Sequence, residues 1–114
     1  MPVQTCRGGG DFVSEKHAAI SGGEIFTEAE DLLGAERFAE AVEKGQQSVN
    51  AFRGSGNKDA LADAIRLVVK GLLGQAQHSR AQDLAKEELA RFREAGHRLG
   101  EAKMLMSVGE STAA

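Results

Sequence analysis

Three histidines, His17, His78 and His97, and a lone Cys6 carry the softest nitrogen and sulfur donors in this 114-residue sequence. None has a second Cys or His beside it at the spacing a metal site needs, so no metal site is expected. His97, next to a predicted helix end, reads as a cap or a surface residue. The paired carboxylates Glu30-Asp31 and Glu87-Glu88 are sequence neighbours on predicted helices. Consecutive helical residues point in different directions, so neither pair forms an acid–base couple by itself. The triplet Gly8-Gly9-Gly10 lacks the Gly-Lys-Ser/Thr and the preceding strand of a phosphate loop. No nucleophile stands beside a base and an orienting group, and no enzymatic activity or cofactor is expected.

The elements that would position these residues are helical. The chain is 41% hydrophobic and 27% charged, with one Pro, no Trp, no Tyr and five Phe, a composition that favours helix over sheet. Its length suits one domain. The formal charge of −3 lacks the basic excess of a nucleic-acid binder. Residues 1–43 hold nine acids against three bases, a net of −6, and residues 44–114 hold eight acids against eleven bases, a net of +3. Such an asymmetry can bring copies or partners into register, although solvated helix faces also account for it. A single cysteine forms no internal disulfide, which makes a reducing compartment the default. The start shows no signal-peptide pattern, and no apolar run is long enough to insert in a membrane. A cytoplasmic location is therefore expected, or an organellar one if a targeting segment has been removed.

An internal repeat organises the chain. A shift of 40 positions relates Ile25, Leu32, Leu33 and Gly34 to Ile65, Leu72, Leu73 and Gly74. The same shift relates Ala41, Phe52, Arg53 and Gly56 to Ala81, Phe92, Arg93 and Gly96. Apolar positions and turn glycines are what a structural repeat keeps, because they decide where helices end and which face is buried.

Residues 1–13 read as a flexible tail, and the helix-prone stretch from Ser14 is interrupted by Gly22 and Gly23. Periodicity predicts a helix over 24–33 (Ile25, Ala29, Leu32, Leu33 on one side) and another over 36–53 (Phe38, Ala41, Val42, Gly45, Val49, Phe52). Gly34 stops the first, and Gly54, Ser55 and Gly56 supply the turn after the second. A third helix, capped by Asn57 or Gly56 and ended by Gly74, carries the most hydrophobic stripe, Leu61, Ile65, Val68, Val69 and Leu72, and should be central and most buried. A fourth spans 77–94 with Ala81, Leu84, Ala85, Leu89 and Phe92, and stops at Gly96. A fifth over 99–109 presents Ala102, Leu105 and Val108 to the core, leaving Ser111 to Ala114 without a reason for order. Short loops make neighbouring helices antiparallel.

The segment Gly96-His97-Arg98-Leu99-Gly100-Glu101-Ala102, the Gly56-Asn57-Lys58 one unit earlier, and the small residues Ala41 and Ala81 resemble the tetratricopeptide repeat family in a degenerate variant of about 40 residues. The resemblance covers residues 17–112. His97 and Asn57 stand where the family prefers Asp, the Gly34–Ala41 and Gly74–Ala81 spacings are two residues longer than usual, and the family's Tyr and Pro positions are unfilled. The resemblance implies antiparallel helical hairpins in residues 14–112, stacked as a short all-α solenoid whose first helices line a partner-binding groove. By position, the groove residues would be Asp63, Arg66 and Lys70 on the central helix, Phe26 and Glu30 before it, and Lys103, Met106 and Glu110 after it. Spacings of three and four place Asp63, Arg66 and Lys70 on one helix face, opposite Ile65 and Val69. In the family, basic residues here grip a carboxylate or an acidic peptide.

The expected function is therefore a non-enzymatic scaffold or adaptor that binds a peptide, helix or subunit. The alternative is a structural accessory subunit built into a large complex, organellar or membrane-associated. Repeats bury their faces only against neighbours, and about three are needed for stability. With barely that many, the isolated chain should be marginally stable or self-associate.

Overall fold

A computed structural model describes residues 22–113 as five α-helices: α1 (Gly23–Gly34), α2 (Phe38–Ser55), α3 (Lys58–Gly74), α4 (His78–Ala95) and α5 (Arg98–Ala113). The glycine-rich segment 1–13 and the helix-prone residues up to 21 lie outside the described residues. Among the described residues there is no strand, and no helix is long and apolar enough to cross a membrane.

One loop geometry recurs every 20 residues. The N–H groups of Arg37, Asn57, Gln77 and His97 donate to the carbonyls of Leu32, Phe52, Leu72 and Phe92 at 2.9, 3.2, 2.9 and 3.0 Å. Inside each, Glu36, Gly56, Ala76 and Gly96 donate to Leu33, Arg53, Leu73 and Arg93 at 3.0, 3.3, 2.9 and 3.1 Å. Nested 6→1 and 5→2 bonds around a left-handed residue define the Schellman stop, which satisfies the last carbonyls of the preceding helix. The glycine reading is therefore half of the account. Gly56 and Gly96 are the left-handed residues after α2 and α4, but after α1 and α3 that role falls to Glu36 (φ 62°) and Ala76 (φ 60°). Gly34 and Gly74 are the last helical residues, and Gly54 lies inside α2 rather than in the turn.

The loops fold each helix back on its predecessor. In addition, α3 contacts both α1 and α5, so the odd-numbered helices are neighbours in space. Touching all four others, α3 is the centre of the core, with 11 of its 17 residues buried. Ile65, Val68 and Val69 are fully enclosed, and Phe26 and Phe52 pack on each other with ring centroids 6.0 Å apart. The backbones of α2 and α3 approach closely through Gly45 and Gly71: a Cβ on Gly45 would lie 2.8 Å from Val68 Cγ2, and one on Gly71 would lie 2.6 Å from Val42 Cγ2.

The fifth helix departs from expectation in its rotation and its length. Ala102 and Leu105, expected in the core, are exposed, and Val108 is half-buried. Gly100, Met104, Ser107 and Ser111 face inward instead. Beside this buried stripe, Lys103 binds Asp63 and Glu110 binds Arg66, which fixes the rotation of α5 against α3. Small side chains suit the stripe, since the ring of Phe92 occupies the space beside Gly100 that a Cβ would take. The helix also runs on through Ser111 and Thr112. Ser111 is buried, and the hydroxyl of Thr112 accepts from Gln82 Nε2 on α4 at 2.8 Å.

Candidate functional site

Asp63, Arg66 and Lys70 occupy one side of α3, facing the neighbouring odd-numbered helices. A cleft of about 80 Å³ between α1 and α3 is lined by Phe26, Glu30 and Leu33 from α1 and by Asp63, Arg66, Leu67 and Lys70 from α3. Five of the eight residues expected in a groove thus meet at one cleft. They do so unequally: Phe26 is 1% exposed with its ring in the core, whereas Lys70 is exposed.

The other three, on α5, meet the same side of α3. Lys103 Nζ binds Asp63 Oδ1, and Arg66 Nη2 donates to Glu110 Oε2 at 2.8 Å. Asp63 and Lys103 stand 40 residues apart with opposite charge, and their pairing joins α3 to α5. Both bridges combine half-buried and largely buried partners, the setting in which charge-assisted hydrogen bonds hold orientation best. Asp63 is 7% exposed in its side chain and Lys103 20%, while Arg66 is 19% and Glu110 40%. Met106 stands in solvent at 53% exposure. Of the two cations expected to grip a carboxylate, Arg66 is already engaged by Glu110. Lys70 has no ion-pair partner among the described residues.

A larger cavity, about 180 Å³, escapes the repeat argument. Phe52, Leu61 and Phe92 form its floor, and Arg53, Lys58, Arg91 and Glu88 form its polar wall. Glu88 is 4% exposed and accepts from both Arg53 Nη2 (2.8 Å) and Arg53 Nη1 (3.4 Å), with Arg91 Nη1 3.8 Å away. The only sequence signal for it was the recurrence of Arg53 as Arg93, and there the repeat misleads. Arg93 turns instead to Glu101 on α5, at 3.0 Å.

Among the described residues no three His, Cys, Asp or Glu side chains gather at a distance that could hold a metal ion. His17 lies outside those residues, and His78 is exposed. The imidazole of His97 performs the capping role expected of it: Nδ1 accepts from the Gly100 N–H at 2.9 Å. Asn57, one repeat earlier, does the same through Oδ1 from the Ala60 N–H at 3.0 Å. Glu87 and Glu88 diverge as consecutive helical residues must, with side chains 63% and 5% exposed. No protein-family model, curated protein or solved structure matches the chain.

Proposed function

We propose that this chain is a non-enzymatic protein-interaction module, a short tetratricopeptide-like stack whose odd-numbered helices form the surface offered to a partner. One observation carries the reading: α3 touches both α1 and α5, which brings Glu30, Asp63, Arg66, Lys70 and Glu110 from three helices onto one side. The 40-residue register and the stop repeated every 20 residues support the stacking of equivalent units. A reducing, cytoplasmic setting accords with the single Cys6. The partner group that suits this surface is a carboxylate, received by Lys70, with Arg66 joining only by leaving Glu110.

A second reading has its own support. The charges of α3 and α5 largely neutralise each other, and α5 carries apolar side chains in solvent, as a subunit built into a larger assembly would before assembly. Native purification of the tagged chain from its source, with partners identified and the complex sized, separates the two. An adaptor is recovered with exchangeable, substoichiometric partners that Lys70→Glu depletes and high salt releases. A built-in subunit is recovered at fixed stoichiometry, indifferent to Lys70→Glu. Lys70 is the position to change because Arg66→Glu would also break the Glu110 bridge. Recovery of the chain alone at its monomer mass would count against both.

A further inference from the structure

Three large apolar side chains stand in solvent among the described residues, and all three belong to α5: Leu99 at 45%, Leu105 at 48% and Met106 at 53% exposure. The repeat register shows what is missing there. Ala62, Ile65 and Val69 of α3 are fully buried, while the matching Ala102, Leu105 and Gly109 of α5 are exposed. The loop after α1 folds α2 back against it, and the loop after α3 does the same with α4. Among the described residues α5 has no such helix.

We propose that a second copy of this chain supplies it, the two α5 helices packing antiparallel about a two-fold axis so that each serves as the hairpin partner of the other. Charge selects this occupant and this end of the molecule. Residues 22–43 hold seven acids against Arg37, so two copies meeting through α1 would repel. Helix α5 carries Arg98 and Lys103 against Glu101 and Glu110, a net of zero. Arg98 lies on the same side as Ala102 and Leu105, exposed and without an ion-pair partner among the described residues. It sits at the positive end of its own helix dipole, the unfavourable end for a cation. Antiparallel pairing brings it beside the negative C-terminal end of the other α5, opposite Thr112. Leu105 lies midway between Arg98 and Thr112 and therefore meets its own counterpart near the axis. A two-fold contact is closed, which limits assembly to two copies. This contact lies on α5 and does not use Lys70 in the cleft between α1 and α3.

Sedimentation equilibrium of the full chain from micromolar to millimolar concentration tests it. A dimer is expected, reduced to a monomer by Leu105→Glu with Met106→Glu. Because both side chains are exposed, circular dichroism should show the helices unchanged. Arg98→Glu places an acid at the N-terminal end of α5, which favours the helix itself, yet should weaken the dimer by roughly tenfold through repulsion at the partner's C-terminal end. In a Cys6→Ser background, Leu105→Cys should oxidise to a disulfide-linked dimer and Ser79→Cys, exposed on α4, should not. A wild-type monomer, a dimer that survives the glutamate changes, or open-ended growth beyond two copies would each overturn the proposal.

Discussion

His97 Nε2 lies 3.0 Å from Asp59 Oδ1, and the opposite ring nitrogen caps α5, so one side chain ties the start of the last helix to the first turn of α3. Because Nδ1 accepts from a backbone N–H, the ring proton belongs on Nε2, which donates to Asp59. The ring also lies 5.5 Å from that of Phe92, the residue whose carbonyl receives the His97 N–H. An apolar contact between those two positions commonly accompanies the Schellman stop. Three separate structural jobs thus converge on one side chain.

His97→Ala removes the cap, the tie to Asp59 and the ring contact, and should cost about 1–2 kcal/mol, as helix caps do. His97→Asn restores the cap by the group Asn57 uses, but cannot reach Asp59, and should recover about half of that loss. Urea unfolding of the two variants checks the order: equal losses would mean that the cap contributes nothing.

Glu36 and Ala76 hold left-handed backbone that L-residues adopt at a cost of about 1–2 kcal/mol. Glycine removes that cost but gives back part of it through the greater freedom of the unfolded chain. Glu36→Gly and Ala76→Gly should each stabilise the fold by about 0.5–1 kcal/mol, and Gly56→Ala and Gly96→Ala should destabilise it by a similar amount. Opposite signs at equivalent loops are the test, read from midpoints of chemical unfolding at constant slope.

Much of the fold was legible because local rules set it. Each helix boundary lies within about four residues of its expected place, since the stops recur with the apolar residues Leu32, Phe52, Leu72 and Phe92 that anchor them. Burial of α3 followed from a stripe too apolar for any surface. The rotation of α5 was not legible. Ala102, Leu105 and Val108 are the more hydrophobic set, but steps of three carry each about 60° round the helix from the last, whereas Gly100, Met104, Ser107 and Ser111 share one side, so hydrophobicity and spacing point to different faces. Contacts from Asp63 and Arg66, 40 and 44 residues away, decide for the second. Phe26 shows the same limit: its repeat position pointed to the groove, but its ring found Phe52. Pairings of that range depend on packing, which no local pattern encodes.

Glu88 is a nearly buried carboxylate whose principal cation, Arg53, is 38% exposed. Removing one partner of such a pair strands the other, whereas removing both is tolerated. Arg53→Met should therefore destabilise by about 2 kcal/mol, less than a fully buried pair because water and Arg91 still reach the site. Arg53→Met with Glu88→Leu should return most of the loss. A double-mutant cycle checks this. Additive losses would show that the two side chains contribute separately.

Gly45 and Gly54 lie on the same helix and should respond oppositely to alanine. In both places alanine gains about 1 kcal/mol of helix propensity. Around Gly54 a Cβ meets nothing within 4 Å, so Gly54→Ala should raise stability by about that amount. At Gly45 the added Cβ would lie 2.8 Å from Val68 Cγ2 and 3.0 Å from Leu67 Cδ2. Both are core side chains of α3 with little room to retreat, and overpacking of this kind costs about 1–3 kcal/mol. Gly45→Ala should therefore lower stability by about 1 kcal/mol net. Paired thermal melts compare the two directly. If Gly45→Ala proved as stabilising as Gly54→Ala, α2 would have to sit further from α3 than its contact with Val68 implies.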